Sequence, residues 1–174
     1  MELSDAIKKR TSIRKYSGEA IPKELLDQIL EAGLMGPSAK NYQSWEFIVV
    51  RNKFLLEKLS GCRPIGPKML AGADCAVVVV GDSEKQDVWI EDCSIALTLM
   101  HLMADSLGVG SCWIQGRLRK APDGKMAEDY VRNLLRFPEK YKLEGILSLG
   151  MPAEFPAEKE VTKEMKKKIH SESW

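Results

Sequence analysis

Apolar residues recur along the chain with distinct periods, and each period assigns an element. Leu25, Leu26, Ile29, Leu30 and Leu34 form a stripe of helical period behind Pro22, which predicts a helix ending between Gly33 and Pro37. Lys53 to Ser60 reads as a second helix with Leu55, Leu56 and Leu59 inward, and residues 3 to 10 as a short one ending in Lys8-Lys9-Arg10. Glu46 to Val50, Ser111 to Gln115 and Leu143 to Leu149 read as strands. Cys75 to Val80 is a continuous apolar run rich in β-branched residues, the pattern of a strand covered on both faces and so central to its sheet. From Asp87 to Leu107 the pattern predicts one long helix, apolar nearly all round between Cys93 and Ala104. A helix of that kind is buried on more than one side, in a helical layer or at a subunit interface. Ala121 to Leu135 predicts a more polar helix, and after Gly150 the chain is charged and broken by prolines. No repeat or long linker divides it, so one domain over 1–174 is expected.

Composition narrows the function classes. Lys and Arg number 26 against 25 Asp and Glu, a net charge of +1, so the bulk footprint of a nucleic-acid binder is missing. No apolar run approaches the roughly 20 residues of a membrane span. The opening Met1-Glu2-Leu3-Ser4-Asp5 is polar and unlike a secretory leader, which points to the cytoplasm. Cys62, Cys75, Cys93 and Cys112 are widely spaced and only two histidines exist, so no metal site is expected and the thiols read as packing. Gly108-Val109-Gly110 follows a helix and has Trp113 where a dinucleotide fingerprint needs its third glycine. Neither a phosphate loop nor a nucleophile elbow is present. His101, inside the apolar helix, reads as a packed core residue.

Two segments carry chemistry. In Lys9-Arg10-Thr11-Ser12-Ile13-Arg14-Lys15-Tyr16, Arg10 and Arg14 can hold phosphate oxygens in bidentate geometry and Ser12 adds a hydroxyl. In Gly36-Pro37-Ser38-Ala39-Lys40-Asn41-Tyr42-Gln43-Ser44-Trp45, hydroxyls and amides crowd a loop between helix and strand, as the edge of a heteroaromatic ring requires. Together with I-P-x-E-L-L, Lys68-Met69-Leu70, the long helix ending L-G-x-G-S-C-W-I, and L-S-L-G-x-P-A-E, these segments resemble the nitroreductase family of FMN-dependent flavoproteins over nearly the whole chain.

The resemblance implies an α+β fold, a mainly antiparallel sheet surrounded by helices, built as an intertwined homodimer with FMN at the interface. It assigns Arg10, Ser12 and Arg14, with Thr11 adjacent, to the FMN phosphate. Pro37, Ser38 and Asn41 would approach the isoalloxazine from the other subunit, Lys68 would lie near its pyrimidine side, and Gln115 and Gly116 near N5. It implies hydride transfer from NAD(P)H to flavin N5 and ping-pong reduction of a nitroaromatic, quinone or similar small acceptor, with no residue obliged to act as a proton-transferring catalyst. A specialised flavin-handling or dehalogenating role and a flavin-free anion-binding module are the alternatives. The chain departs from the family at Thr98-Leu99, where many relatives have Gln-Asn, and at Glu158-Lys159-Glu160, where many have a basic pair. Lys159 and Lys163 are weak candidates for a phosphate contact from the tail.

Overall fold

The computed structural model describes residues 2–174; Met1, the first residue of the polar N-terminal stretch, lies outside them. Four strands, β1 (Trp45–Val50), β2 (Cys75–Asp82), β3 (Gly110–Gln115) and β4 (Tyr141–Gly150), form a sheet of order β1-β2-β4-β3. Every pairing is antiparallel. The helices are α1 (Leu3–Lys9), α2 (Lys23–Leu34), α3 (Lys53–Ser60), α4 (Trp89–Ser106), α5 (Ala127–Leu135) and a single turn, α6 (Lys163–Lys166). Two 3-10 segments, Ala39–Asn41 and Pro67–Gly72, complete the list of regular elements.

The apolar run of β2 is explained by layers on both sides of it. Cys75, Val77 and Val79 join α2 and α4 in one core, whereas Ala76, Val78 and Val80 join α3 and α5 in the other. Alternation of side chains across a strand therefore sends one continuous hydrophobic sequence into two separate cores. The α3 start is fixed by Asn52, whose side chain accepts from the Leu55 N–H at 3.1 Å. Gly33, an unfavourable residue for a helix interior, lets α2 cross α4 closely: a Cβ there would stand 2.8 Å from Met100 Cγ.

α4 buries Cys93, Ala96, Leu97, Met100 and Ala104. On its opposite side Ile95, Leu99 and Leu102 stay only half-buried; Gly36 reaches Ile95 and Leu99, just past Leu34 (53% exposed) and Met35 (71% exposed) at the end of α2. No helix among the described residues is long and apolar enough to cross a membrane.

The predicted helix over 121–135 is shorter in the structure. Residues 121–125 form a turn in which the Ala121 N–H donates to Lys125 O at 2.9 Å, and Gly124 has φ +83°. Pro122 and Gly124 prevail over the surrounding helix formers, and α5 begins only at Ala127.

Candidate functional site

The segment after α1 is an extended arm laid across the β3 and β4 ends. The Ile13 N–H donates to Ser111 O at 2.9 Å, and Tyr16 Oη lies 2.7 Å from Ser148 Oγ. Two glycines paired across the sheet, Gly110 and Gly150, make room for it. A Cβ on Gly110 would come within 2.8 Å of Ile13, and one on Gly150 within 2.6 Å of the Tyr16 ring. Because the arm is extended, Arg10, Ser12 and Arg14 alternate with Thr11 and Ile13. Thr11 and Ile13 line a cleft of about 290 Å³ under the C-terminal tail, which Arg10, Ser12 and Arg14 do not line.

Neither guanidinium of the arm makes an ion pair with a carboxylate among the described residues. Arg14 Nη1 donates to Ser12 O at 3.2 Å, and Arg10 Nη1 donates to His101 Nε2 at 2.8 Å. Each arginine keeps most of its five N–H donors for another acceptor. The tail adds a cation here: the Lys159 N–H donates to Lys8 O at 2.9 Å, and partial burial followed by the Arg10 charge lowers the Lys159 ammonium. Lys163 lies away on α6, exposed.

His101 is buried as its apolar helix suggests, and it is also bonded at both ring nitrogens, with Nδ1 2.5 Å from Ser111 Oγ. Burial first, then Arg10 and Lys159, brings its pKa down to about 4.

The loop with Pro37, Ser38 and Asn41 lies at the other end of α4. Lys40, Asn41 and Gln43 all have positive φ, between 48° and 56°, a concentration of left-handed non-glycine residues that strains the loop backbone. Asp92 secures it. This buried carboxylate accepts from the Ala39 N–H at 3.1 Å and from Ser44 Oγ at 3.1 Å, and also from Gln86. The Gln43 N–H donates to Ser38 Oγ at 3.0 Å, so Ser38 is partly engaged in holding the turn, while the Asn41 side chain is exposed.

Gln115 and Gly116 end β3, and their chemistry is largely spent within the chain. Gln115 accepts from Trp113 Nε1 at 3.0 Å and donates to Glu144 Oε1 at 3.3 Å, and its carbonyl accepts from Arg63 Nη1 at 2.8 Å. The Gly116 N–H goes to Glu144 O at 3.1 Å. A Cβ at Gly116 would lie 2.5 Å from the Leu143 side chain, so glycine lets β4 pack closely there and any larger residue would displace Leu143. The segment is a braced surface, with Glu144 beneath it; that carboxyl is 3% exposed, raised in pKa by burial, and leaves Oε2 without a partner among the described residues. Lys68 is exposed on its 3-10 segment and free of ion pairs among the described residues.

Within one chain, then, the structure joins Arg10, Ser12 and Arg14 on the arm and places Gln115 and Gly116 farther along β3. Ser111 and Gln115 stand about 13 Å apart on that strand. It does not bring Pro37, Ser38 and Asn41 to the arm. The sequence pattern does not single out Asp92, Glu144 or Arg63, and it takes His101 for a packed core residue. For Asp92 and His101, a polar side chain at the edge of an apolar helical stripe was the available signal; for Glu144, a carboxylate inside a run otherwise fit for a buried strand. The four cysteines are buried and unpaired, and burial lifts Cys62 to about 11 and Cys75 to about 12, so they are inert thiols.

A four-stranded antiparallel sheet between helical layers, with a basic arm across one end, defines an α+β fold of the nitroreductase type. The chain belongs to the nitroreductase family, whose model matches residues 7–62 and 63–151. It superimposes with a TM-score of 0.95 on an FMN-dependent nitroreductase from Clostridium difficile, at 44% identity over 98% of this chain and 99% of that one. A Bacteroides fragilis nitroreductase with bound FMN matches with a TM-score of 0.73 at 33% identity, covering 93% and 94%. A Methanothermobacter thermautotrophicus protein, provisionally named NADH dehydrogenase/NAD(P)H nitroreductase, is 38% identical over all of this chain and 88% of its own length.

Proposed function

We propose that this protein is a homodimeric, FMN-dependent NAD(P)H oxidoreductase that reduces nitroaromatic, quinone or similar small acceptors. The observation that carries the reading is the arm: two guanidiniums without carboxylate ion pairs among the described residues, on a segment bonded to β3 at Ser111, which stands about 13 Å along that strand from a braced surface at Gln115 and Gly116. That donor set suits a dianionic phosphate, and the spacing suits a ligand whose anion is tethered several bonds from a flat ring. FMN when bound supplies the redox chemistry, accepting a hydride equivalent from reduced nicotinamide and releasing two electrons to an acceptor.

The chain's own residues place and bias that group. Arg10, Ser12 and Arg14 hold the phosphate, with Lys159 adding positive potential. Gln115 and Gly116, fixed by Glu144, Trp113 and Arg63, form the surface under the ring. Lys68 sets a cation where negative charge grows on reduction. Pro37, Ser38 and Asn41 come from the second subunit, docked through the half-buried Ile95, Leu99 and Leu102 face with Leu34 and Met35. No side chain is assigned proton transfer. One open pocket receives donor and acceptor in turn, which gives ping-pong kinetics. Four unpaired thiols fit the cytoplasm.

The test is anaerobic titration of the purified protein with NADH and with NADPH, followed by an acceptor screen. Bleaching of a flavin spectrum and its return on adding acceptor is expected. A protein that lacks flavin absorbance and takes up no added FMN overturns the proposal.

A further inference from the structure

The contact between Arg10 and His101 is more than packing. An arginine at the end of a surface helix has about 2 kcal/mol of rotamer entropy to lose before it can grip anything, so a device that fixes it beforehand raises affinity. Here Arg10 Nη1 donates to His101 Nε2 at 2.8 Å. Arginine only donates, so Nε2 accepts, the proton of the neutral ring sits on Nδ1, and Nδ1 donates to Ser111 Oγ. Ser111 is also the residue whose carbonyl accepts the Ile13 N–H. One residue of β3 thus fixes the backbone of the arm directly and, through His101, its first guanidinium.

The residue type matters. An aspartate or glutamate at this position would pair with Arg10 and offset the charge an anion needs. A leucine would suit the helix but leave both Arg10 and the buried Ser111 hydroxyl without this partner. Neutral imidazole is an acceptor without charge, so Arg10 keeps its full positive charge for a ligand. Other charges in this neighbourhood are Lys9, Arg14, Lys159 from the tail and Asp105 one turn along α4; burial raises the Asp105 carboxyl, and it makes no ion pair with Arg10.

We propose that His101 is a positioning residue of the anion site, an uncharged acceptor that pre-sets Arg10 toward the phosphate of FMN. The proposal rests on the phosphate reading given above. Riboflavin, which is FMN without its phosphate, separates the two. Binding of FMN and of riboflavin to the flavin-free protein, followed by flavin fluorescence, is compared for wild type, Arg10→Ala, His101→Leu, His101→Gln and His101→Asp.

Expected for His101→Leu is a roughly tenfold loss of FMN affinity, equivalent to about 1.4 kcal/mol, with riboflavin changed less than about twofold. His101→Gln, whose amide oxygen can accept from Arg10, retains most of the preference for FMN, and His101→Asp loses it. Equal losses for both flavins in His101→Leu, or no loss for either, overturn the proposal. Where His101→Leu does not fold, the Gln and Asp pair decides, and equal FMN-to-riboflavin ratios in those two overturn it. An Arg10→Ala protein with the wild-type ratio overturns the phosphate reading itself, and the His101 proposal with it.

Discussion

Replacing Asp92 by alanine removes the anchor of the 38–44 loop, and the structure gives the size of the loss. The carboxylate is 2% exposed and accepts from the Ala39 N–H, the Ser44 hydroxyl and the Gln86 amide. Hydrogen bonds to a charged group contribute about 1.5–3 kcal/mol each. Ala39 and Gln86 are half-buried and regain water, whereas Ser44 is buried and does not. The net destabilisation expected of Asp92→Ala is therefore about 3 kcal/mol, short of three full bonds. At this chain length it corresponds to a fall in Tm of about 6–12 °C. The left-handed residues Lys40, Asn41 and Gln43 cost about 1 kcal/mol each, so the loop also relaxes once released. Tryptic cleavage after the exposed Lys40 should accelerate beyond what global unfolding explains. Asp92→Asn keeps one acceptor but sets an amide N–H against the Gln86 donor, while the Ser44 hydroxyl can turn to accept, and falls between. Urea unfolding at fixed protein concentration measures the loss, with the exposed Asp87→Ala as a control expected within about 0.5 kcal/mol of wild type. A loss below about 1 kcal/mol for Asp92→Ala, with unchanged proteolysis, refutes the clamp.

Three further outcomes follow from particular contacts. Gly150→Ala sets a Cβ 2.6 Å from the Tyr16 ring, so it should cost roughly 1–3 kcal/mol and lower FMN content, whereas Gly72→Ala meets nothing within 4 Å; thermal melts and flavin-to-protein ratios of the two variants check this. Leu99→Glu places a charge on the open face of α4 and should yield monomers by light scattering, while Ile169→Glu, on the 78% exposed tail position, stays dimeric. His101 has a folded-state pKa near 4 against 6.5 for the free group, so as pH falls the unfolded chain takes the proton first. Its share of stability is complete above about pH 6.5 and lost progressively down to about pH 4, by roughly 3 kcal/mol. Urea midpoints at pH 7.5 and 4.5 should therefore diverge more in wild type than in His101→Gln, and equal divergence contradicts the assignment.

The elements were legible because burial imposes period, and the failures occur where another force decides. β2 could be read as central from its unbroken apolar run, and the all-round apolar α4 from the absence of a polar face. The 121–125 turn could not be read from periodicity, because Pro122 and Gly124 override a sequence that otherwise suits a helix. Arg10, Ser12 and Arg14 were visible as a group through their side-chain chemistry and the R-x-S-x-R pattern; that they alternate along an extended segment was not. What holds them was not visible: Gly110 and Gly150 lie forty residues apart in sequence and meet only through the β3 and β4 register. Asp92 and His101 were hidden for a similar reason. A polar residue in an apolar helix looks like an interruption until its partners arrive from distant segments, the loop for Asp92 and the arm for His101.

In the proposed dimer, the positions of those two residues bear on how the site would be divided between chains. Nine residues separate them on α4, about 14 Å along the axis and about 180° around it. The loop and the arm are thus held at opposite ends and on opposite margins of the helix, with the open Ile95, Leu99 and Leu102 face between the margins. A second copy docked on that face about a two-fold axis can bring the loop of one chain to the arm of the other, since a self-complementary contact made once is made twice. Complementation tests this division. Arg10→Glu disables the arm, and Asn41→Asp, which tolerates a left-handed backbone, charges the loop tip. Each homodimer then carries its defect at both sites. In a heterodimer one site receives both defects and the other neither, so random mixing should restore about a quarter of the wild-type sites. FMN binding and NAD(P)H oxidation of unfolded, mixed and refolded chains, against each parent treated alike, measure that fraction. If each site is built within one chain, every site of the heterodimer keeps a defect, and a mixture no better than its parents refutes the shared site.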